Sequence, residues 1–599
     1  MSVVPIEDPR DHRYALAAEG LLRQFNEAGV LEAADVHVAE RLCDLAQERD
    51  PLVALAVAVT VRAIRGGSVC VDLTTVAEDS LVEDLPWPLP DAWLAALAAS
   101  PLTSESEGGA TVLRLLEGRL LYLDRYWREE EQVCADLLAR PARVPLGEAD
   151  AAALEVSLGR VFPARGYDEQ RAAARIALSQ GTTVLTGGPG TGKTTTVAAL
   201  LALLVEQAEV AGRPPPRIAL AAPTGKAAAR LQQAVEDEVA KLPADDKRRL
   251  TGLRAMTLHR LLGSRPDSST RFRHHRDNRL PHEVVVVDET SMVSLTMMAR
   301  LVESVRPETR LILVGDPHQL TSVEAGAVLA DLVEGLGARA DVQIAALRTS
   351  HRFGESIRQL AEAVREEQTD RAVELLRAGG EHIELVDDTD VVPRLRELLL
   401  PHAAGLVKAA EAGDTADALA ALDRQRLLCA HRDGPHGVHH WNRQVERWLG
   451  EETGQPLWTK WYPGRPLLVT ANDYGLGVYN GDTGVVVRRP SGVLRAAVAG
   501  STQQHDLAPS RLGQVETMHA MTIHKSQGSQ ADQVVVMLPP PESRLLTREL
   551  FYTALTRARK KVVVVGTEDD VRAAIGRRAV RATGLRQRLA AESGRESAP

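Results

Sequence analysis

Thr182-Thr183-Val184-Leu185-Thr186-Gly187-Gly188-Pro189-Gly190-Thr191-Gly192-Lys193-Thr194-Thr195 passes from a short β-branched and apolar run into a glycine-rich turn, then into a helical stretch that lasts to about Val210. Residues Gly187 to Thr194 satisfy GxxxxGK[ST] in full, in the strand-turn-helix setting that the pattern requires. The chemistry follows from the residue types. Glycines let backbone N–H groups close around phosphates, and the helix N-terminus adds its dipole. Lys193 can reach the β and γ phosphates, and the Thr194 hydroxyl can ligate magnesium. A nucleoside triphosphate site is therefore expected over Gly187, Gly188, Pro189, Gly190, Thr191, Gly192, Lys193, Thr194 and Thr195.

Working outward, short apolar runs at Arg217 to Ala222, Glu283 to Val287 and Arg310 to Val314 each end in a polar or glycine-containing turn. Such alternation with helices predicts a parallel sheet covered on both faces. Asp288 and Glu289 stand at a strand's carboxyl end, where ligands bind in open α/β sheets. Asp288 is expected to complete the magnesium shell with Thr194, and Glu289 to take the proton of an attacking water. ATP hydrolysis is the reaction implied. Asp316 and Gln319, after another strand, suit γ-phosphate sensing, while Arg352 and Arg557 are candidate arginine fingers from a second core. That core is predicted from β-branched runs at Arg426 to Ala430, Gln533 to Met537 and Lys561 to Val565.

The 599 residues, at ~150 per domain, give roughly four domains or subdomains, which excludes a single small binding module. With 44% hydrophobic and 25% charged residues the chain can bury ordinary cores. Lys and Arg number 71 against 81 Asp and Glu, a net charge of -10, so attraction to nucleic acid needs a local basic groove or basic partner chains. Cys43, Cys70, Cys134 and Cys429 lack CxxC spacing, which argues against zinc, iron-sulfur or disulfide frameworks and suits a reducing cytoplasm. Met1 to Tyr14 does not read as a secretory signal, and the apolar stretches Leu52 to Val61 and Val197 to Val205 are too short to span a bilayer.

Leu21 to about Leu138 reads as a helical front module, with a hairpin about Glu117-Gly118 as the alternative for Ala110 to Arg125. This module either docks a partner or only adds stability. Pro466 to Ala499, with turns at Asn472-Asp473, Asn480-Gly481 and Ser491-Gly492, predicts a small antiparallel insert. Beyond Arg577 a last helix and a frayed end are expected. His431, His436, His439 and His440 admit a metal reading or a packed surface beside Trp441. The basic run Arg271 to Arg279 is a solvated loop or a phosphate-tracking edge.

In order along the chain, the strings resemble those of superfamily 1 DNA helicases, and within them the RecD group. Tyr167-Asp168-Glu169-Gln170 resembles the adenine-reading Q motif, and Ala222-Pro223-Thr224-Gly225-Lys226-Ala227-Ala228 motif Ia. Thr257-Leu258-His259 is similar to motif Ib, Asp288 to Met292 to motif II, and Gly315 to Leu320 to motif III. Thr522-Ile523-His524-Lys525-Ser526-Gln527-Gly528 resembles motif V, and Tyr552 to Arg557 motif VI. Where the family usually continues Gly-Ser-Glu, this chain has Gly528-Ser529-Gln530. Phe25 to Val30, Asp35 to Ala39 and Gly67 to Leu73 resemble the amino-terminal region of RecD subunits. The helix-hairpin-helix repeats of longer stand-alone relatives are not seen.

The resemblance implies an α/β fold of two RecA-like P-loop motor domains with an SH3-like insert and a helical N-terminal domain. It assigns 1–145 to partner docking, 146–345 to the first motor, 346–460 and 513–599 to the second, and 461–512 to the insert. It implies 5' to 3' translocation on single-stranded DNA, with Gln170 at the adenine and Thr224, Lys226, Thr257, His259, Thr522, His524 and Lys525 along the DNA channel. Lys193, Asp288, Glu289, Gln319, Arg352 and Arg557 form the implied catalytic set, with ATP and Mg2+ as the groups bound. RecB and RecC, single-stranded DNA and duplex DNA ends are the implied partners, with no membrane association and a cytoplasmic location. The nuclease would belong to RecB. The alternatives are a stand-alone helicase and a regulatory ATPase or scaffold subunit.

Overall fold

The computed structural model describes residues 11–591 except 79–81, 83, 105–110, 143–147, 164–165, 266–267, 350–354, 388–389, 455–458, 474 and 501–503. The front module is not purely helical, which corrects the sequence expectation. Its helices pack with a four-stranded sheet of β1 (Cys70–Asp72), β2 (Thr103–Ser104), β3 (Leu113–Leu116) and β4 (Leu120–Leu123), in the order β1-β4-β3-β2. The β3-β4 hairpin is the expected one, turning through Glu117 and Gly118 at φ 53° and 63°. The strands that the sequence did not offer, β1 and β2, have three and two residues, too few to show a period.

The first motor sheet holds β5 (Thr182–Gly187), β6 (Ile218–Ala222), β7 (Ala255–Thr257), β10 (Val284–Val287), β11 (Arg310–Gly315) and β12 (Ala345–Leu347). Between β7 and β10 a separate hairpin is formed by β8 (Ser264–Arg265) and β9 (Ser268–Phe272). The six motor strands are parallel, in the order β12-β5-β11-β10-β6-β7. Because β10 is all valine and wholly buried, it reads as a continuous apolar run, as strands covered on both faces do. Its register, Val287 opposite Ala221 and Leu313, carries Asp288 into the middle of the sheet's carboxyl end.

The second motor sheet is also parallel and contains β13 (Ile383–Val386), β14 (Gln425–Cys429), β20 (Ala520–Thr522), β21 (Ala531–Met537) and β22 (Ala558–Val565), in the order β13-β22-β21-β14-β20. Between β14 and β20 the chain makes an antiparallel sheet of β15 (Pro466–Val469), β16 (Thr483–Arg488), β17 (Leu494–Ala499), β18 (Gln504–Leu507) and β19 (Val515–Thr517). The sequence placed this insert at Pro466 to Ala499. The sheet takes two further strands after it, so β19 lies past the expected boundary at 512.

The front module has a core of its own about Phe25, Leu55 and Trp93, and its later part joins the core of the first motor: Val69, Tyr122, Trp127 and Val133 pack in the same cluster as Val285, Met298, Leu311 and Leu332. The last helix, Leu585–Ala591, seats Leu585 and Leu589 in that cluster too. The tail therefore leaves the second motor and returns to the first. Beneath it Glu130, fully buried, accepts from Tyr122 Oη at 3.1 Å, Thr583 Oγ1 at 2.8 Å and the Gly584 amide at 3.2 Å.

Candidate nucleotide site and nucleic-acid cleft

The glycine turn closes as the sequence requires. Gly190 and Gly192 adopt φ 83° and 88°, a region that costs other residues strain, and Gly192 caps the helix Lys193–Val210. A Cβ on Gly187 would lie 2.5 Å from Thr191 Oγ1, and one on Gly188 2.9 Å from Tyr552 Oη. Lys193 Nζ donates to the Gly187 and Gly188 carbonyls at 2.7 and 3.0 Å, so the ammonium sits inside the phosphate cradle. Thr194 and Thr195 are half-buried on the first helical turn beside it. Gln170 is buried; its Nε2 donates to the Thr191 carbonyl at 3.0 Å, while its Oε1 has no partner. An unpaired buried acceptor is costly, and an adenine amino group at the end of the phosphate loop is the donor it suits. The residues present thus fit a bound nucleotide.

Asp288 follows β10, its amide donating to Ala221 O at 2.9 Å. Desolvation, then the neighbouring Glu289 carboxylate, pushes its pKa up to about 6, with Lys193 opposing. A carboxylate held against that penalty is suited to a cation. Glu289 takes the left-handed conformation, φ 52°, which turns the chain sharply after the strand.

The second motor closes over this site. Arg557, 4% exposed, donates from Nη2 to Gln319 Oε1 at 2.8 Å and from Nε to Thr553 O at 3.0 Å. Desolvation lowers its pKa, with Glu289 opposing most among the charged neighbours. Tyr552 Oη donates to Asp316 Oδ2 at 3.1 Å, and Gln319 Nε2 donates to the same oxygen at 3.0 Å. The Leu320 amide donates to Thr553 Oγ1 at 2.8 Å, and Gln527 Nε2 donates to Leu320 O at 2.7 Å. Lys193, Asp288, Glu289, Gln319 and Arg557 are therefore gathered around one cleft. Arg352 lies outside the described residues.

The candidate DNA positions follow β6, β7 and β20, of which β7 and β20 are edge strands of their sheets. Thr224 Oγ1 accepts from the Ala227 amide and Thr257 Oγ1 from the Arg260 amide, both at 3.2 Å. Thr522 Oγ1 accepts likewise from the Lys525 amide at 3.2 Å. These three hydroxyls cap helical turns and keep a proton to donate. His259 is exposed with its ring 5.8 Å from Phe272. Desolvation lowers the His524 pKa, and Arg581 adds to the effect. Lys525 Nζ is held by Glu516 Oε2 at 3.0 Å, so it is not a free phosphate ligand. Lys226 is half-buried, and its pKa falls to about 8 through desolvation and Arg426, with Asp423 and Asp482 opposing.

Sequence reasoning passed over two residues here. Arg230, one helical turn after Lys226, bears electrostatically on both Asp288 and Arg557; its i,i+4 spacing from Lys226 was the available signal. Asp482, in the insert, has its pKa raised to about 6 by burial and faces Lys226. No local pattern links two segments so far apart.

Among the described residues no three metal-ligating groups cluster. His431 Nε2 lies 2.9 Å from Ser543 Oγ, His439 pairs with Asp433 at 2.8 Å, and His440 stands edge-on to Trp441, so the packed-surface reading of the histidines fits. In the basic run, Arg276 pairs with Asp136 at 2.6 Å and Arg279 Nη1 donates to Val305 O at 3.1 Å, which tie the hairpin region down. All four cysteines are buried and none is in a disulfide, and among the described residues no helix is long and apolar enough to cross a membrane.

Two parallel α/β sheets meeting over a phosphate loop, with Arg557 of one bonded to Gln319 in the loop after β11 of the other, form the frame of a two-domain P-loop motor, and the comparisons place that motor among the superfamily 1 DNA helicases. Residues 166–388 match the family described as "AAA domain", 517–565 "UvrD-like helicase C-terminal domain" and 27–122 "RecBCD enzyme subunit RecD, N-terminal domain". The chain is 65% identical over 584 residues to RecBCD enzyme subunit RecD of Mycobacterium tuberculosis, covering 97% of this chain and 98% of that one. It is 67% identical to RecBCD enzyme subunit RecD of Mycolicibacterium smegmatis, covering 95% and 99%. A solved structure, "Crystal structure of Bacteroides Pif1 bound to ssDNA", aligns at 17% identity and a TM-score of 0.37 over 66% of this chain and 91% of that one. The chain belongs to the RecD subunit family of RecBCD enzymes and is an ATP-dependent DNA helicase.

Proposed function

We propose that this chain is the 5' to 3' motor of a helicase-nuclease assembled with RecB and RecC, acting on DNA entering from a broken duplex end, with the nuclease on RecB. The observation that carries the motor reading is the bond between Arg557 and Gln319, which joins the second motor to the loop at the phosphate cradle. Thr194 and Asp288 are the residues that would hold Mg2+, which when bound neutralises charge on the β and γ phosphates. Glu289 accepts the proton as water oxygen bonds to the γ-phosphorus and the bond to the ADP oxygen breaks. Arg557, positioned by Gln319, and Arg352 neutralise charge on the transferred group. Reopening of the cleft moves Thr224, Lys226, Thr257 and His259 relative to Thr522 and His524, which hold backbone phosphates without reading sequence, while Lys525 stays paired with Glu516.

Residues 1–145 are the proposed docking domain. In support, Leu16, Val38, Leu45 and Leu89 are exposed large apolar side chains of this region, and Val38 and Leu45 stand two turns apart on the helix Ala33–Ala46. Co-expression with RecB and RecC, followed by unwinding of duplexes with either a 5' or a 3' tail, tests the reading. A stable three-chain complex in which Lys193→Ala selectively removes 5'-tail unwinding is expected. A chain that stays monomeric beside both partners and unwinds at full rate would favour the stand-alone alternative.

A further inference from the structure

Behind the phosphate cradle lies a cavity of about 200 Å³ that no step above uses. A single buried water needs ~10–15 Å³, so a hydrated tetrahedral anion has ample room. Its wall draws on both motors and the returning tail: His318 from the loop after β11, Arg365 at the end of helix Glu355–Arg365, Arg548 and Tyr552 on helix Arg548–Leu555, and Arg578. Each guanidinium is paired with a carboxylate, Arg365 with Glu366, Arg548 with Glu367, which itself lines the cavity, and Arg578 with Glu334. Each of these contacts engages one terminal nitrogen of a group that carries five N–H donors, so capacity for an anion remains. Glu549, also in the wall, turns Oε2 to the Ala579 amide at 2.8 Å.

Tyr552 belongs to both spaces. Tyr552 lines the cavity, while its hydroxyl donates to Asp316 Oδ2 and stands 2.9 Å from where a Gly188 Cβ would be. The cradle and the arginine-lined cavity are thus neighbours divided by one side chain and its hydrogen bond to Asp316. We propose that this cavity is the exit pocket for the inorganic phosphate cut from ATP, with Tyr552 as the gate. The proposal rests on the hydrolytic reading of the cradle. When the γ-phosphate parts from ADP, the side facing Lys193 remains blocked by the diphosphate. The arginines offer the free anion charge-assisted donors on the far side of Tyr552. Separation of the motors breaks the Tyr552 to Asp316 bond and opens the path, which makes phosphate release a step linked to movement.

The test is a single turnover of ATP by the full chain with single-stranded DNA, following hydrolysis by rapid quench and free phosphate by a fluorescent phosphate-binding protein. Wild type is expected to release phosphate with little lag. Arg365→Gln combined with Arg548→Gln should slow release about fivefold or more while hydrolysis stays within about twofold. Arg578→Gln, which lies outside both sheets, is read in the same way if the double variant does not fold. Release that keeps pace with unchanged hydrolysis in the variants overturns the exit pocket alone. Absence of a hydrolysis phase in wild type overturns the pocket together with the reading of the cradle beneath it.

Discussion

Arg557 and Gln319 face each other across the two motors, guanidinium Nη2 to amide Oε1 at 2.8 Å, both almost wholly buried. Gln319 in turn donates to Asp316, so the arginine is tied to the loop that follows β11. If Gln319 positions Arg557, the two substitutions act on one term. Arg557→Ala is expected to lower DNA-stimulated turnover about 10³-fold, and the double variant with Gln319→Ala to be no slower than Arg557→Ala. Steady-state ATPase of the single and double variants checks this; additive losses would separate the two roles.

Glu289→Gln is expected to retain nucleotide binding and to lose turnover by about 10² to 10⁴, because the shape survives while the proton acceptor is removed. Fluorescent-nucleotide titration beside ATPase provides the readout. Turnover at the wild-type rate would remove Glu289 from the base role.

The Asp288 carboxyl, raised to about 6, sets a pH dependence. Its ordinary value is ~3.9, so the folded protein without metal holds this proton more tightly than the unfolded chain. That contribution is fully present below pH ~3.9 and is lost as pH rises through about 6. With Asp288 holding Mg2+ as proposed, protons would compete with the metal below about 6, and Mg2+-dependent nucleotide affinity should fall by up to ~10-fold per pH unit in wild type. In Asp288→Asn the affinity should be weak and flat over the same range.

Lys226, with its pKa near 8, acts in the opposite sense. Its folded value is depressed, so the charge that would meet DNA is lost as pH rises through about 8. Single-stranded DNA affinity is expected to weaken between pH 7 and 9, and the salt slope to fall by ~0.7 as one phosphate contact is lost. Lys226→Ala should show the lower slope at both pH values; a wild-type slope in that variant would take Lys226 off the DNA path.

Glu130 fastens the tail to the front module and first motor. Glu130→Ala leaves Tyr122, Thr583 and the Gly584 amide without their acceptor, at a cost of roughly 3 kcal/mol or more. Hydrogen exchange across 582–590 should rise about 100-fold, and Glu130→Gln, which keeps an acceptor, should restore most of the protection. Unchanged exchange in Glu130→Ala would show that Leu585 and Leu589 hold the tail unaided.

Legibility in the sequence followed the range of the interactions. Gly187 to Thr194, β10 with Asp288 and the hairpin at Glu117-Gly118 are written in adjacent residues, so composition and periodicity suffice. The five-stranded insert was seen only through Ala499, because β18 and β19 lack the valine-rich alternation of β16. The mixed sheet in the front module escaped notice because β1 and β2 are too short to show a period. At the site, the capping roles of Thr224 and Thr257 were available from their places ahead of helices. The facing of Lys226 to Asp482, the hold of Glu516 on Lys525 and the return of the tail exist only in the folded chain.

The central claim is that the cleft between the motors hydrolyses ATP in step with DNA. ATP hydrolysis by the purified chain, and by its complex with RecB and RecC, measured with and without single-stranded DNA against Lys193→Ala, tests it most directly. Strong stimulation by DNA is expected in wild type and none in Lys193→Ala. Turnover in the complex that is indifferent to DNA, or that survives Lys193→Ala unchanged, would contradict it.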